Sequence, residues 1–126
     1  MFKVKGTDIY LTRGDKATLG ISLNDYVFQP NDTIAFRVYE KEGLNKAPVL
    51  EVITEVEKES SMVDIVLTSE KTKIGEIVNE PVEYWYEIEL NGEQTPYCYD
   101  ENGPKILTLY PEGADANATS QALVDR

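Results

Sequence analysis

Along most of this chain apolar and polar residues alternate one for one. The alternation is cleanest over Pro81-Val82-Glu83-Tyr84-Trp85-Tyr86-Glu87-Ile88-Glu89-Leu90. Successive side chains of a strand point to opposite faces, so a period of two sorts them. Val82, Tyr84, Tyr86, Ile88 and Leu90 fall on one face, and Glu83, Trp85, Glu87 and Glu89 on the other. Tyrosines and aliphatics together on one face predict a central strand with that face turned inward. Asn91-Gly92 follows at once, a pair suited to the positive φ angles of a tight hairpin turn.

The same period recurs on both sides of this segment. Phe2 and Val4 alternate with Lys3 and Lys5, and Gly6-Thr7-Asp8 interrupts before Ile9-Tyr10-Leu11, which reads as an opening strand bent or bulged at Gly6. Thr12-Arg13-Gly14-Asp15 is turn chemistry. Ala17, Leu19, Ile21 and Leu23 make the next inner face, opposite Thr18, Gly20 and Ser22. After the turn Gln29-Pro30-Asn31-Asp32 come Ile34, Phe36 and Val38 inside, with Arg37 and Tyr39 outside. Lys41 to Pro48 is a polar loop, and the strand that follows is partly apolar on both faces, Leu50, Val52, Thr54 and Val56 alternating with Val49, Glu51, Ile53 and Glu55, so its inner face stays open. Val63, Ile65 and Leu67 form another inner face. Thr68 to Gly75 breaks the period, with Thr68 or Ser69 placed to cap a single helical turn and Gly75 to close it. Gln94 to Tyr99 and Lys105 to Tyr110 read as the last strands, separated by the turn Asp100-Glu101-Asn102-Gly103-Pro104.

The sum is seven or eight short strands with turn signals between them. It predicts an all-β fold, an antiparallel immunoglobulin-like β-sandwich over residues 1–111. Residues 112–126 are small and polar with no periodic apolar set, and predict a disordered tail.

Composition narrows the function. A chain of 126 residues is one domain, long enough to bury roughly two-thirds of its unfolded surface without covalent staples. No apolar run is long enough to span a bilayer, so no membrane insertion is expected. No apolar block follows Lys3 and Lys5, so no secretory leader is expected either. Cys98 is the single cysteine, which excludes an internal disulfide and fits a reducing cytosol. Twelve basic residues against twenty-three acidic give a net charge of -11, which repels phosphate backbones and argues against nucleic acid and anionic membrane surfaces.

The chemistry-bearing residues are few. Histidine is absent, so histidine triads, general bases and metal sites are excluded. One cysteine cannot build a zinc or iron–sulfur site within one chain, and Cys98 between Tyr97 and Tyr99 reads as a small buried thiol in a strand. The carboxylates fall on wet strand faces and in turns, and Asp100-Glu101-Asn102 lacks the spaced oxygens of a calcium loop. No catalytic, metal or cofactor residue is assigned, and no enzyme is expected. Arg13-Gly14-Asp15 is better read as a turn than as an integrin motif, and Asn117-Ala118-Thr119 has no weight as a glycosylation acceptor without a leader. Trp85 stands out. A large aromatic on an outer face either contacts a partner or sugar, or lies under a loop such as Lys71 to Val78, and cover is the favoured reading. With Glu83, Glu87 and Tyr39 it forms the candidate interaction surface.

Four segments taken in order carry a resemblance: Ile9-Tyr10-Leu11-Thr12-Arg13-Gly14-Asp15, Thr18-Leu19-Gly20-Ile21, Asp32-Thr33-Ile34-Ala35-Phe36-Arg37-Val38 and Tyr84-Trp85-Tyr86-Glu87-Ile88-Glu89-Leu90. Together they resemble the small β-sandwich domains at the N-termini of phage upper baseplate and tail-fibre proteins from phages and prophages of Gram-positive bacteria. The resemblance implies a virion structural or assembly role without catalysis or cofactor. Its partners would be other virion or tail proteins, with self-association also allowed. Such a protein is made in the bacterial cytoplasm and ends in the tail or baseplate. Members of that family usually continue into a long shaft or receptor-binding region, so a stand-alone accessory protein and a piece of a longer one both stay open. The alternative is an immunoglobulin-like carbohydrate-binding module using Trp85 and nearby tyrosines as a stacking platform.

Overall fold

The computed structural model describes residues 1–76 and 79–112. Among the described residues there are nine strands: β1 (Phe2–Lys5), β2 (Asp8–Thr12), β3 (Ala17–Ile21), β4 (Thr33–Glu40), β5 (Leu50–Glu55), β6 (Val63–Leu67), β7 (Val82–Leu90), β8 (Gln94–Tyr97) and β9 (Lys105–Tyr110). Seven of them form one sheet in the order β1-β2-β9-β7-β4-β5, with β8 also paired to β7, and β3 and β6 form a second sheet. The all-β prediction holds. Among the described residues no helix is present and none is long and apolar enough to cross a membrane. The antiparallel immunoglobulin-like arrangement is not reproduced in full, because β2 runs parallel to β9, with Ile9 opposite Leu107, and the second sheet has two strands only.

The predicted inner faces form the core. Ile9 and Leu11, Ala17, Leu19 and Ile21, Ile34, Phe36 and Val38, Val63, Ile65 and Leu67, Tyr84, Tyr86, Ile88 and Leu90, and Leu107 and Leu109 pack into one cluster between the sheets. Each large apolar side chain buried this way contributes about 1.5–3 kcal/mol. β5 settles the face left open by its sequence. Leu50 is buried and Val52 packs against the core, whereas Ile53 is 59% exposed. Apolar residues on both faces are tolerated here because β5 is an edge strand, bonded only to β4.

Three turns place the strands. Gly6-Thr7 is a hairpin turn and not a bend, since Lys5 sits opposite Asp8 and Gly6 has φ +64°. Asn91 (φ +55°) and Gly92 (φ +68°) make the tight turn after β7, and the Asn91 side chain accepts the Thr33 N–H at 2.8 Å. The Thr68 hydroxyl accepts the Lys71 N–H at 3.2 Å and the Thr68 carbonyl accepts the Thr72 N–H at 3.1 Å. That is the predicted cap of a single turn, too short to count as a helix, and Gly75 leaves it at φ +64°.

Candidate interaction surface

Register decides which side chains share the outer face of the large sheet. Trp85 lies opposite Tyr39 on β4 and opposite Ile106 on β9, while Glu87 lies opposite Arg37 and Glu83 opposite Thr108. The four predicted residues, Trp85, Glu83, Glu87 and Tyr39, therefore do sit together on one face. They are not equally available.

Glu87 and Tyr39 are committed to the sheet itself. Arg37 reaches Glu51 at 2.7 Å, Glu89 at 3.1 Å and Glu87 at 3.2 Å, and the Tyr39 hydroxyl donates to Glu87 at 2.9 Å. One guanidinium so ties β4 to both neighbouring strands. Its fork of donors suits several carboxylates at once. The hydrogen bond to Glu51, above all, drives its pKa still higher than the usual arginine value. Burial, followed by the bond to Glu87, pushes the Tyr39 hydroxyl up to about 12. Tyr39 is buried, whereas Glu83 is exposed and pairs with Lys41 at 3.3 Å.

Trp85 is half-buried, as the favoured reading expected, but a different loop covers it. β8 and β9 lie end to end along the same side of β7, Tyr97 opposite Ile88 and Lys105 opposite Tyr86. The seven residues between them, Cys98 to Pro104, leave the ladder as an excursion closed by a bridge from Asp100 to Gly103. Tyr99 on this excursion meets the Trp85 ring edge-on, with centroids 5.6 Å apart at 64°. The Trp85 Nε1 is buried and has no hydrogen-bond partner among the described residues. The excursion is anchored by Asp100, which accepts from Lys105 Nζ at 2.9 Å and from the Asn102 N–H at 2.8 Å. Both contacts, the Lys105 bond first, hold the Asp100 carboxyl below its ordinary pKa. Both of its oxygens are thus engaged by donors, and among the described residues no cluster of carboxylates or thiols could hold a metal ion. Cys98 falls on the excursion and not in a strand, half-buried, and its thiol reaches the Tyr99 carbonyl at 3.6 Å. The sequence signal was present in Asp100-Glu101-Asn102-Gly103-Pro104, which marks a turn, but not that the chain rejoins β7 after it.

The loop predicted to cover Trp85, Lys71 to Val78, packs elsewhere, and its Ile77 and Val78 lie outside the described residues. Ile74 is buried in the core, and the fully buried Thr72 donates its hydroxyl to the Asp15 carbonyl at 2.8 Å. Arg13 closes the arrangement by donating to the carbonyls of Ile74 and Gly75, each at 3.0 Å, and to Glu112 at 2.9 Å. With its guanidinium so occupied and its side chain 11% exposed, Arg13 cannot reach an external receptor. Gly14 at φ +86° and the Asp15 N–H to the Thr12 carbonyl at 3.0 Å complete the turn the sequence predicted. Of the predicted tail, Glu112 belongs to this clamp and the remainder, 113–126, lies outside the described residues.

A cleft of about 540 Å³ opens at one end of the molecule, between the Ser22 to Tyr26 segment and Leu90, Gln94, Pro96 and Tyr97. Its two tyrosine hydroxyls are spent internally, Tyr26 on Asp32 at 2.5 Å and Tyr97 on the Ser22 carbonyl at 3.3 Å. Comparisons with protein-family models, curated proteins and solved structures returned no match to the chain. The outer face remains the candidate: a strand-built surface with one half-exposed indole, an exposed Glu83 paired with Lys41 and the bare Ile53 at its margin.

Proposed function

We propose that this chain is a structural or assembly module of a phage or prophage virion, of baseplate or tail-fibre type, that works by holding other tail proteins and turns over no substrate. The observation that carries the reading is the outer face around Trp85. Aromatic side chains are enriched at protein interfaces, where an apolar body and a polar rim are both used. Here a half-buried indole is braced by Tyr99 and Ile106 and rimmed by Glu83. Strands hold it, and they add no ordering cost on docking. The four segments that resemble phage baseplate domains supply the class of partner.

A carbohydrate platform is the weaker reading. Sugars stack on open ring faces, whereas Tyr99 meets Trp85 edge-on and Tyr39 is buried with its hydroxyl on Glu87.

The test is affinity capture by the tagged chain from virions or induced lysogens of the source bacterium, with captured proteins identified by mass spectrometry. Tail or baseplate proteins should be recovered, and Trp85→Ala should lose them while keeping its fold. Recovery of no virion protein, together with glycan-array binding lost in Trp85→Ala, would transfer the function to the carbohydrate module.

A further inference from the structure

The large sheet has two open edges of opposite character. β1 bonds only to β2 and β5 only to β4, so each presents a row of backbone groups with no partner in the sheet. On the outer face, β1 displays Lys3 and Lys5, both exposed. On the same face, β5 displays Glu51, Ile53 and Glu55, also exposed. In a chain of net charge -11, a lysine pair at one edge faces away from a glutamate pair at the other.

We propose that copies of this chain associate head to tail, the β1 edge of one pairing with the β5 edge of the next, so that the large sheet continues across the contact. Cross-strand charges decide between the possible pairings. Two β1 edges would oppose lysine to lysine, and two β5 edges glutamate to glutamate. Only β1 against β5 brings opposite charges together. Lysine on an edge strand often serves to block pairing, and Lys3 and Lys5 do block a second β1. Towards Glu51 and Glu55 they act in the opposite sense.

The strand directions fix the geometry further. Following the ladders from β5 through β4, β7, β9 and β2 to β1, the two edge strands point the same way. Lysines and glutamates meet only if both outer faces lie on one side, and turning the next copy end for end would bring β1 against β1, or β5 against β5 at the other edge. The new pair is therefore parallel. With Lys3 opposite Ile53, Lys5 lies opposite Glu55 and Lys3 diagonal to Glu51. Phe2 then stands beside Val52 on the inner face, and both are partly buried hydrophobics already packed against the core. Such a contact is heterologous, so it closes into a ring or runs on as a filament. β1 offers four residues only, which makes each contact small and weak, and its charges make it salt-sensitive. The inference stands apart from the docking of tail proteins, because Trp85 lies on neither edge.

Sedimentation velocity of the full chain tests it, over about 10 μM to about 1 mM, the range in which weak contacts of this kind populate. At low salt the average sedimentation coefficient should rise with concentration, and added salt should reverse the rise. Lys3→Glu/Lys5→Glu and Glu55→Gln should each stay monomeric while melting as the wild type does. Mixed, they should give a heterodimer that grows no further, since each retains one working edge and the two altered edges bring no opposite charges together. A wild type that stays monomeric over the whole range would overturn the proposal, as would either variant associating like the wild type or a mixture that stays monomeric. Should a variant fail to fold, the salt and concentration series on the wild type decides alone.

Discussion

Tyr86 does two jobs at one position. Its ring packs on Phe36 with centroids 5.6 Å apart, and its hydroxyl donates to the Thr7 carbonyl at 2.5 Å, which ties β7 to the turn after β1. Replacing it with alanine should cost about 3–5 kcal/mol, close to the whole stability of a domain this size. Tyr86→Phe keeps the ring and should cost roughly 1–3 kcal/mol, because the Thr7 carbonyl loses its donor. Denaturant midpoints of the two variants check the order, and a Tyr86→Ala midpoint equal to the wild type's would mean the strand faces are inverted. The same environment sets the alkaline limit of the fold. Burial raises the hydroxyl pKa of Tyr86, and burial with the Glu87 bond pushes that of Tyr39 up to about 12. Both favour the neutral form in the folded state, so their contribution is complete below the ordinary tyrosine value of about 10 and is lost as pH rises through the folded values. In an alkaline titration followed by phenolate absorbance, the signal of Tyr39 and Tyr86 should appear only together with loss of structure. If all eight ionise near the ordinary value while the fold persists, these two hydroxyls are not held as described.

At the scale of elements, the excursion from Cys98 to Pro104 can be tested cleanly because Trp85 is the only tryptophan. Tyr99→Ala removes the edge-on contact and should shift Trp85 emission to longer wavelength and raise its quenching by acrylamide. Tyr99 is itself 55% exposed, so stability should fall by no more than about 1 kcal/mol. An unchanged spectrum would mean some other segment covers the indole. Strand faces were legible wherever one side was fully buried, as in β3, β4, β6 and β7, because burial imposes the period of two. Legibility failed at the margins for physical reasons. β5 carries an apolar residue on its outer face too, since an edge strand can leave Ile53 in solvent. The β1–β2 reversal turns on Gly6-Thr7, which looks like a bulge unless its partner strand is known. The parallel pairing of Ile9 with Leu107 joins opposite ends of the chain, and local alternation says nothing about distant partners. For the candidate surface, alternation placed Trp85, Glu83 and Glu87 on one face. Tyr39 and Glu87 could not be recognised as spent, because their commitment runs through Arg37 and a cross-strand hydrogen bond.

For the whole molecule, cohesion rests on the contact between two unequal sheets. β3 and β6 pair only with each other, Leu19 opposite Ile65, and a two-stranded sheet is marginal by itself in water. What stabilises it is the burial of Ala17, Leu19, Ile21, Val63, Ile65 and Leu67 against the inner face of the large sheet, inside a single cluster. The chain also crosses between sheets repeatedly, from β2 to β3, β3 to β4, β5 to β6 and β6 to β7. Neither sheet can therefore dissolve while the other stays intact. Cys98 is the only cysteine, so no disulfide within the chain supplements this and a reductant should leave the melting temperature unchanged. Unfolding should accordingly be one cooperative transition. Trp85 fluorescence reports on the large sheet and far-ultraviolet circular dichroism on both, and their denaturant midpoints should coincide. Amides of β3 and β6 protected in the native state should exchange with the same free energy as the protected amides of β4 and β7, since both open only in the global event. Loss of protection in β3 and β6 at a denaturant concentration where Trp85 still reports the native state would show that the small sheet is an independent unit, and that the shared core does not bind the two together.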